Sequence, residues 1–298
     1  MDRTIFDEEH EMFRDSVRSF FINEVQPHRE RWHKQEIVDR EAYLKAGEQG
    51  LLLMWADEKY GGAGVSDFRY EQILMEENAR HGDNGFFLWL HSRLVGPYLG
   101  ELATDEQKDR WLPKCVSGES ILAVAITEPG AGSDVAGIKT RAEDKGDHFL
   151  LNGSKTYISN GINADLVIVV ARTDPDKRHG LSLLVVERGM EGFERGRNLD
   201  KMGLKSQDTA ELFFNNVKVP KENLLGELHR GFYSLMHFLA EERLIGAVGY
   251  VANAEAAFEE TMEYVTERHA FGQPIASFQN SRFMLADMRM HLDVAQSF

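Results

Sequence analysis

The chain has 298 residues, 42% hydrophobic and 28% charged, with a formal charge of −15. That length accommodates about two domains and a core that needs no covalent staples. The acidic balance argues against nucleic-acid binding, because phosphate contacts need Lys and Arg, and one cysteine, Cys115, excludes an internal disulfide and a cysteine-built zinc or iron–sulfur site.

The first residues, MDRTIFDEEHEMF, have neither the basic nor the apolar region of a signal peptide. The longest apolar runs, such as 166–171, are about a third of a membrane span. An intracellular, soluble protein is expected. Up to residue 118 the chain reads helical. Met12, Phe13, Val17, Phe20 and Phe21 fall on one predicted helical face, and Thr104-Asp-Glu-Gln107 is a capping box opening a helix that ends near Cys115. Gly clusters at 60–64 and 81–85 punctuate the region.

From about Ser120 the character changes. Short apolar runs at 121–126, 149–151, 166–171, 181–187, 210–214 and 217–219, with Gly, Asp, Asn and Pro between them, predict a β-domain. Residues 120–220 hold 13 basic and 14 acidic residues, so this is the least repulsive surface for an anionic ligand. From about Glu222 the helical period returns. One long helix from Gly231 is expected to end at Phe271-Gly272, with a last helix from about Ser277 to Phe298. Helices, then strands, then helices predict an α+β fold. Its parts are an N-terminal α-helical domain over 1–118, a middle β-barrel or sandwich domain over 119–221, and a C-terminal helical bundle over 222–298.

Thr127-Glu-Pro-Gly-Ala-Gly-Ser-Asp134 follows the first strand. Gly130 and Gly132 allow unusual backbone angles and close approach of a ligand, and the Thr127 and Ser133 hydroxyls are suited to a phosphate or a flat ring edge. No helix follows, so this is not a dinucleotide fingerprint, and on the residues alone a polar hairpin turn is the simpler reading. Asn152-Gly153 signals a second hairpin turn, with Tyr157 available for stacking and Ser159 for a hydrogen bond.

Glu241 and Glu242 lie in a helix that is apolar nearly all round, a pattern that usually means burial. A buried carboxyl has a raised pKa and suits a general base. One and two turns on from Glu242 stand Gly246 and Gly249, which leave space; the same steps from Glu241 meet Ile245 and Val248. Glu242 is therefore the better candidate to face a ligand. A salt bridge with Arg243 inside a bundle stands level with it. The 11 histidines show no metal-ligand spacing.

Taken together, Glu58–Gly64, Thr127–Asp134, Asn152–Gly161, Asp208-Thr-Ala-Glu-Leu-Phe-Phe214 and Glu267-Arg-His-Ala-Phe-Gly272 with Gln279 resemble the acyl-CoA dehydrogenase family. Lys201–Asp208 and Ala240-Glu-Glu-Arg-Leu244 carry a closer likeness to its long-chain type. The resemblance implies FAD as cofactor and α,β-dehydrogenation of fatty acyl-CoA thioesters to trans-2-enoyl-CoA, a step of β-oxidation. Glu242 in its Glu-Arg-Leu motif would be the base, and an electron-transfer flavoprotein the electron acceptor. It further implies flavin contacts from Val124, Ile126, Thr127, Gly132, Ser133, Tyr157, Ile158 and Ser159. Arg268, Phe271 and Gln279 would reach the FAD of a neighbouring subunit. Substrate contacts would come from Ser133, Arg178, His179, Tyr233, Glu241 and Arg243, and the assembly would be a homotetramer. Tyr157 stands where the family most often has Trp. Family members continue past the position of Phe298, so a C-terminally short chain is expected. The implied location is the cytoplasm of a bacterium or the mitochondrial matrix of a eukaryote. Two other readings remain: an acyl-CoA oxidase relative that uses oxygen, and a non-catalytic chain that binds acyl-CoA or a partner subunit.

Overall fold

The computed structural model describes residues 3–175 and 179–298. Six helices come first: α1 (Glu8–Phe20), α2 (Arg29–Gln35), α3 (Arg40–Glu48), α4 (Phe68–His81), α5 (Gly96–Leu102) and α6 (Asp105–Val116). Thr104 caps α6 in the predicted reciprocal box with Gln107. The expected inner face of α1 needs one correction. His10, Arg14, Val17 and Phe20 are buried, whereas Met12 is 68% exposed. At about 100° per residue Met12 stands roughly 140° around the helix from Val17, on the outer side. Arg14 turns inward to meet Glu76 at 2.8 Å and Glu77 at 3.2 Å on α4, taking a position that an apolar count assigns to a hydrophobe.

Eight strands follow: β1 (Leu122–Ala125), β2 (Arg141–Asp144), β3 (His148–Ser159), β4 (Leu166–Arg172), β5 (Leu181–Glu187), β6 (Phe193–Asn198), β7 (Thr209–Pro220) and β8 (Leu224–Leu225). They form one sheet in the order β6-β7-β3-β2-β4-β5-β8, with β1 parallel to β4. The apolar runs of β4 and β5 are continuous because both their faces are covered. Leu166, Ile168 and Val170 join the core shared with the helices, while Val167, Val169 and Ala171 join a second core within the sheet.

Two turn expectations fail here. Runs 210–214 and 217–219 are one strand, β7, and Asn152-Gly153 lies inside β3, where the pairing with β7 slips by a bulge between Leu151 and Gly153. Gly153 has φ +148°, and a Cβ there would sit 2.4 Å from Thr140 Oγ1, so glycine serves the bulge rather than a hairpin.

Helix α7 (Gly231–Glu267) has 37 residues and is roughly 55 Å long. Its all-round apolar pattern predicts burial, but it packs on one side. Leu235, Phe238 and Ile245 are buried, while Met236, Leu244 and Tyr250 are exposed. The helix stops at Glu267, earlier than expected. Phe271-Gly272 is instead the turn of a small ribbon, β9 (His269–Ala270) against β10 (Gln273–Pro274), with φ +52° and +80° at the two turn residues. Helix α8 (Gln279–Ser297) closes the chain. Among the described residues no helix is long and apolar enough to cross a membrane, and no His, Cys, Asp or Glu cluster has the makings of a metal site.

Candidate active site

The Thr127–Asp134 turn leaves the end of β1 and is fastened to β3. Lys155 is fully buried, and its Nζ donates to Ile126 O at 2.8 Å and to Glu128 Oε1 at 2.9 Å. Glu128 also accepts from the backbone N–H groups of Lys139 (2.8 Å) and Thr140 (2.9 Å). Burial lowers the Lys155 pKa to about 8, against the opposing pull of Glu128. Burial raises the Glu128 carboxyl, but the bonds from Thr140, Lys139 and Lys155 outweigh it and leave it below the ordinary value. Thr156 N–H donates to Thr127 O at 2.9 Å.

The next residue, Tyr157, has φ +59° and is 70% exposed. It lies in a bulge between Lys155 and Ile158. A left-handed tyrosine in a strand is strained, and such residues persist only where their surroundings hold them. Val124, Ile126, Thr127 and Ser159 are partly buried, Ile158 is buried, and Gly132 and Ser133 are exposed. Neither Gly130 nor Gly132 has a positive φ, contrary to the expectation from sequence; a Cβ on either meets nothing within 4 Å. The turn is open on that side.

A second group gathers around the segment between α4 and α5. Its π-turn, Leu90–Val95, packs on both β1 and α7. Fully buried His91 accepts from Leu122 N–H at Nδ1 (3.1 Å), and its Nε2–H donates to Cys115 O (2.9 Å). Burial brings its pKa down to about 4, so the ring is neutral and ties this wall to β1. From the same segment, Arg93 Nε lies 2.6 Å from Glu241 Oε1, and from α5 the Tyr98 phenol donates to Glu242 Oε1 at 2.9 Å. The salt bridge considered for Glu242 thus belongs to its neighbour. Burial raises the Glu242 carboxyl above the ordinary glutamate value, and the Tyr98 bond and the Arg243 charge offset part of that. Near this pair Glu71 is buried with neither oxygen hydrogen-bonded among the described residues, and burial carries its pKa to about 7.

A cavity of about 430 Å³ runs beside α7, lined mainly by Met75, Phe87, Trp89, Leu204, Gly246 and Gly249. Gly246 is one turn beyond Glu242. A Cβ on Gly249 would meet Met75 Cε at 3.0 Å, so glycine there leaves the Met75 side chain undisplaced.

The remaining predicted residues are dispersed. His179 stacks on Phe232 with ring centres 4.1 Å apart and meets Tyr233 edge-on. Tyr233 is 49% exposed, Arg243 is exposed, and Arg178 lies outside the described residues. Arg268, Phe271 and Gln279 are exposed on the ribbon and the start of α8, with no hydrogen bond, ion pair or ring contact to the Thr127–Asp134 turn among the described residues. Sequence reasoning singles out neither Tyr98 nor Arg93, nor the Lys155–Glu128 pair, although the last lies within the motifs at 127–134 and 152–161.

Three family models cover nearly the whole chain: acyl-CoA dehydrogenase N-terminal domain over residues 7–119, middle domain over 123–217 and C-terminal domain over 229–298. The chain belongs to the acyl-CoA dehydrogenase family of FAD-dependent oxidoreductases. It is 47% identical to the mitochondrial long-chain specific acyl-CoA dehydrogenase of Mus musculus, covering 99% of this chain and 69% of that one. An acyl-CoA dehydrogenase from Geobacillus kaustophilus superposes with a TM-score of 0.97 at 47% identity, over 99% of this chain and 78% of that one. An acyl-CoA dehydrogenase from Bacillus anthracis, solved in complex with FAD, gives 0.93 at 33% identity, over 100% of this chain and 52% of that one. The residues here fit a flavin. The turn is open, Tyr157 presents an exposed aromatic face, and the hydroxyls of Thr127, Ser133 and Ser159 have no protein partner among the described residues.

Proposed function

We propose that the chain dehydrogenates fatty acyl-CoA thioesters to trans-2-enoyl-CoA in β-oxidation, with Glu242 removing the α-proton. The observation that carries this is the setting of Glu242. It is a half-buried carboxylate, with no ion pair among the described residues, held by one phenol and about one turn before the stretch of α7 that lines an apolar cavity. A raised carboxyl pKa brings the base closer to the weak acidity of the α-carbon. Bound FAD supplies the acceptor for the β-hydride at its N5. Val124, Ile126, Thr127, Gly132 and Ser133 would cover it from the turn, and Tyr157, Ile158 and Ser159 would flank it from β3. Arg268, Phe271 and Gln279 would serve the flavin of a neighbouring subunit in a homotetramer. Ser133, Arg178, His179, Tyr233, Glu241 and Arg243 would meet the acyl-CoA, and an electron-transfer flavoprotein would collect the electrons.

The cavity also bears on chain length. On α7 the cavity is lined from Ile245 to Asn253, over which the helix rises roughly 12 Å. An extended acyl chain advances about 1.3 Å per carbon, given bonds near 1.5 Å. That stretch matches about nine extended carbons, and the 47% identity to a long-chain specific acyl-CoA dehydrogenase supports a long-chain acyl substrate. The compartment would be the cytoplasm of a bacterium or the mitochondrial matrix of a eukaryote.

The test is Glu242→Gln. The variant is expected to keep its flavin and bind acyl-CoA, while anaerobic flavin reduction by palmitoyl-CoA falls by at least about 10³-fold. Undiminished reduction would remove Glu242 from the role.

A further inference from the structure

The segment from Leu90 to Leu102 grips two successive residues of α7 in different ways. Arg93 takes Glu241 as a charge partner, and Tyr98 takes Glu242 as a hydrogen-bond acceptor. Tyr98 is fully buried, and its ring packs on Phe238, one turn before Glu242, with centres 4.1 Å apart. That contact fixes the ring, so the phenol oxygen has one place to be. Glu242 Oε1 is engaged by Tyr98, and no hydrogen bond reaches Oε2 among the described residues.

We propose that Tyr98 is the positioning residue for Glu242: its O–H locks one carboxylate oxygen, favours the ionised form, and leaves the other oxygen to take a proton from the substrate. This rests on the reading of Glu242 as the base. Burial pushes the Tyr98 phenol well above its ordinary pKa, so it stays a donor across the working range. The charged and titratable groups around the base are Arg243 on α7, the Arg93–Glu241 pair, Glu71 on α4 and Tyr98 on α5. Of these, Tyr98 and Arg243 act on Glu242, both toward the charged form, against burial. Arg243 is exposed and its influence is screened by solvent. Tyr98 is the local device.

The experiment compares the unaltered protein with Tyr98→Phe, which keeps the ring on Phe238 and removes only the O–H. Two readouts are taken against pH: the rate of flavin reduction by palmitoyl-CoA, and the Glu242 carboxyl band in infrared difference spectra, assigned by its loss in Glu242→Gln. In Tyr98→Phe both are expected to move to higher pH by about one unit, a tenfold rise in proton affinity, with KM nearly unchanged. Superposable pH curves in both readouts would overturn the proposal. If Glu242→Gln reduces normally, the base reading fails, while the infrared titration still decides whether Tyr98 governs the carboxyl. If Tyr98→Phe does not fold, a fluorinated tyrosine at position 98, a stronger donor, decides by the opposite shift: lower pH supports the proposal, and no shift overturns it.

Discussion

Glu71 carries the clearest single-residue consequence. Its carboxyl is buried without a hydrogen-bond partner among the described residues, and its pKa of about 7 lies above the value of 4.5 expected in the unfolded chain. The folded state therefore binds more protons between those values, and stability falls as pH rises from about 4.5 to 7. Glu71→Gln should stabilise the protein by about 3 kcal/mol at pH 8 and by under about 1 kcal/mol at pH 5. Denaturant titrations at the two pH values check this; equal effects would contradict it. Glu71 carries no sequence signal, since a glutamate on α4 reads as solvated. Glu242 is more legible. Gly246 and Gly249, one and two turns beyond it, border the cavity, but so does Ile245, which the same spacing sets beside Glu241. Tyr98 is not, because 144 residues separate it from Glu242 and no spacing rule connects them.

Between elements, the Lys155–Glu128 pair holds the Thr127–Asp134 turn against β3. Both groups are buried, and removing one partner strands the other, typically at a cost of about 3–5 kcal/mol. Lys155→Met should lower the melting temperature and weaken FAD binding by more than about 10-fold, because the backbone beside Tyr157 loses its anchor. Calorimetry with FAD titration tests both; unchanged FAD affinity would separate the pair from the turn. The strands themselves are legible where Val, Ile and Leu run together, since covered faces leave no room for polar alternation. The connections are less so. Asn152-Gly153 carries a hairpin signal, yet β3 continues through it, because pairing with β7 on one side and β2 on the other absorbs the extra residue as a bulge.

For the molecule as a whole, the helix–strand–helix order is readable because each part keeps its own hydrophobic period. The long helix α7 shows the limit of that reading. Its pattern records how much of it is apolar, not which side meets the rest of the chain, and Leu244 and Tyr250 remain exposed. The two groups of candidate residues lie on different parts of the fold, and the π-turn at Leu90–Val95 links them, His91 bonding to β1 and Arg93 to α7. The proposed reaction requires both to act on one substrate.

The most direct measurement is the anaerobic visible spectrum of the purified, FAD-loaded protein before and after palmitoyl-CoA. A bound-flavin spectrum that bleaches on addition is the predicted result. A bound flavin that stays oxidised in the presence of palmitoyl-CoA would contradict the account.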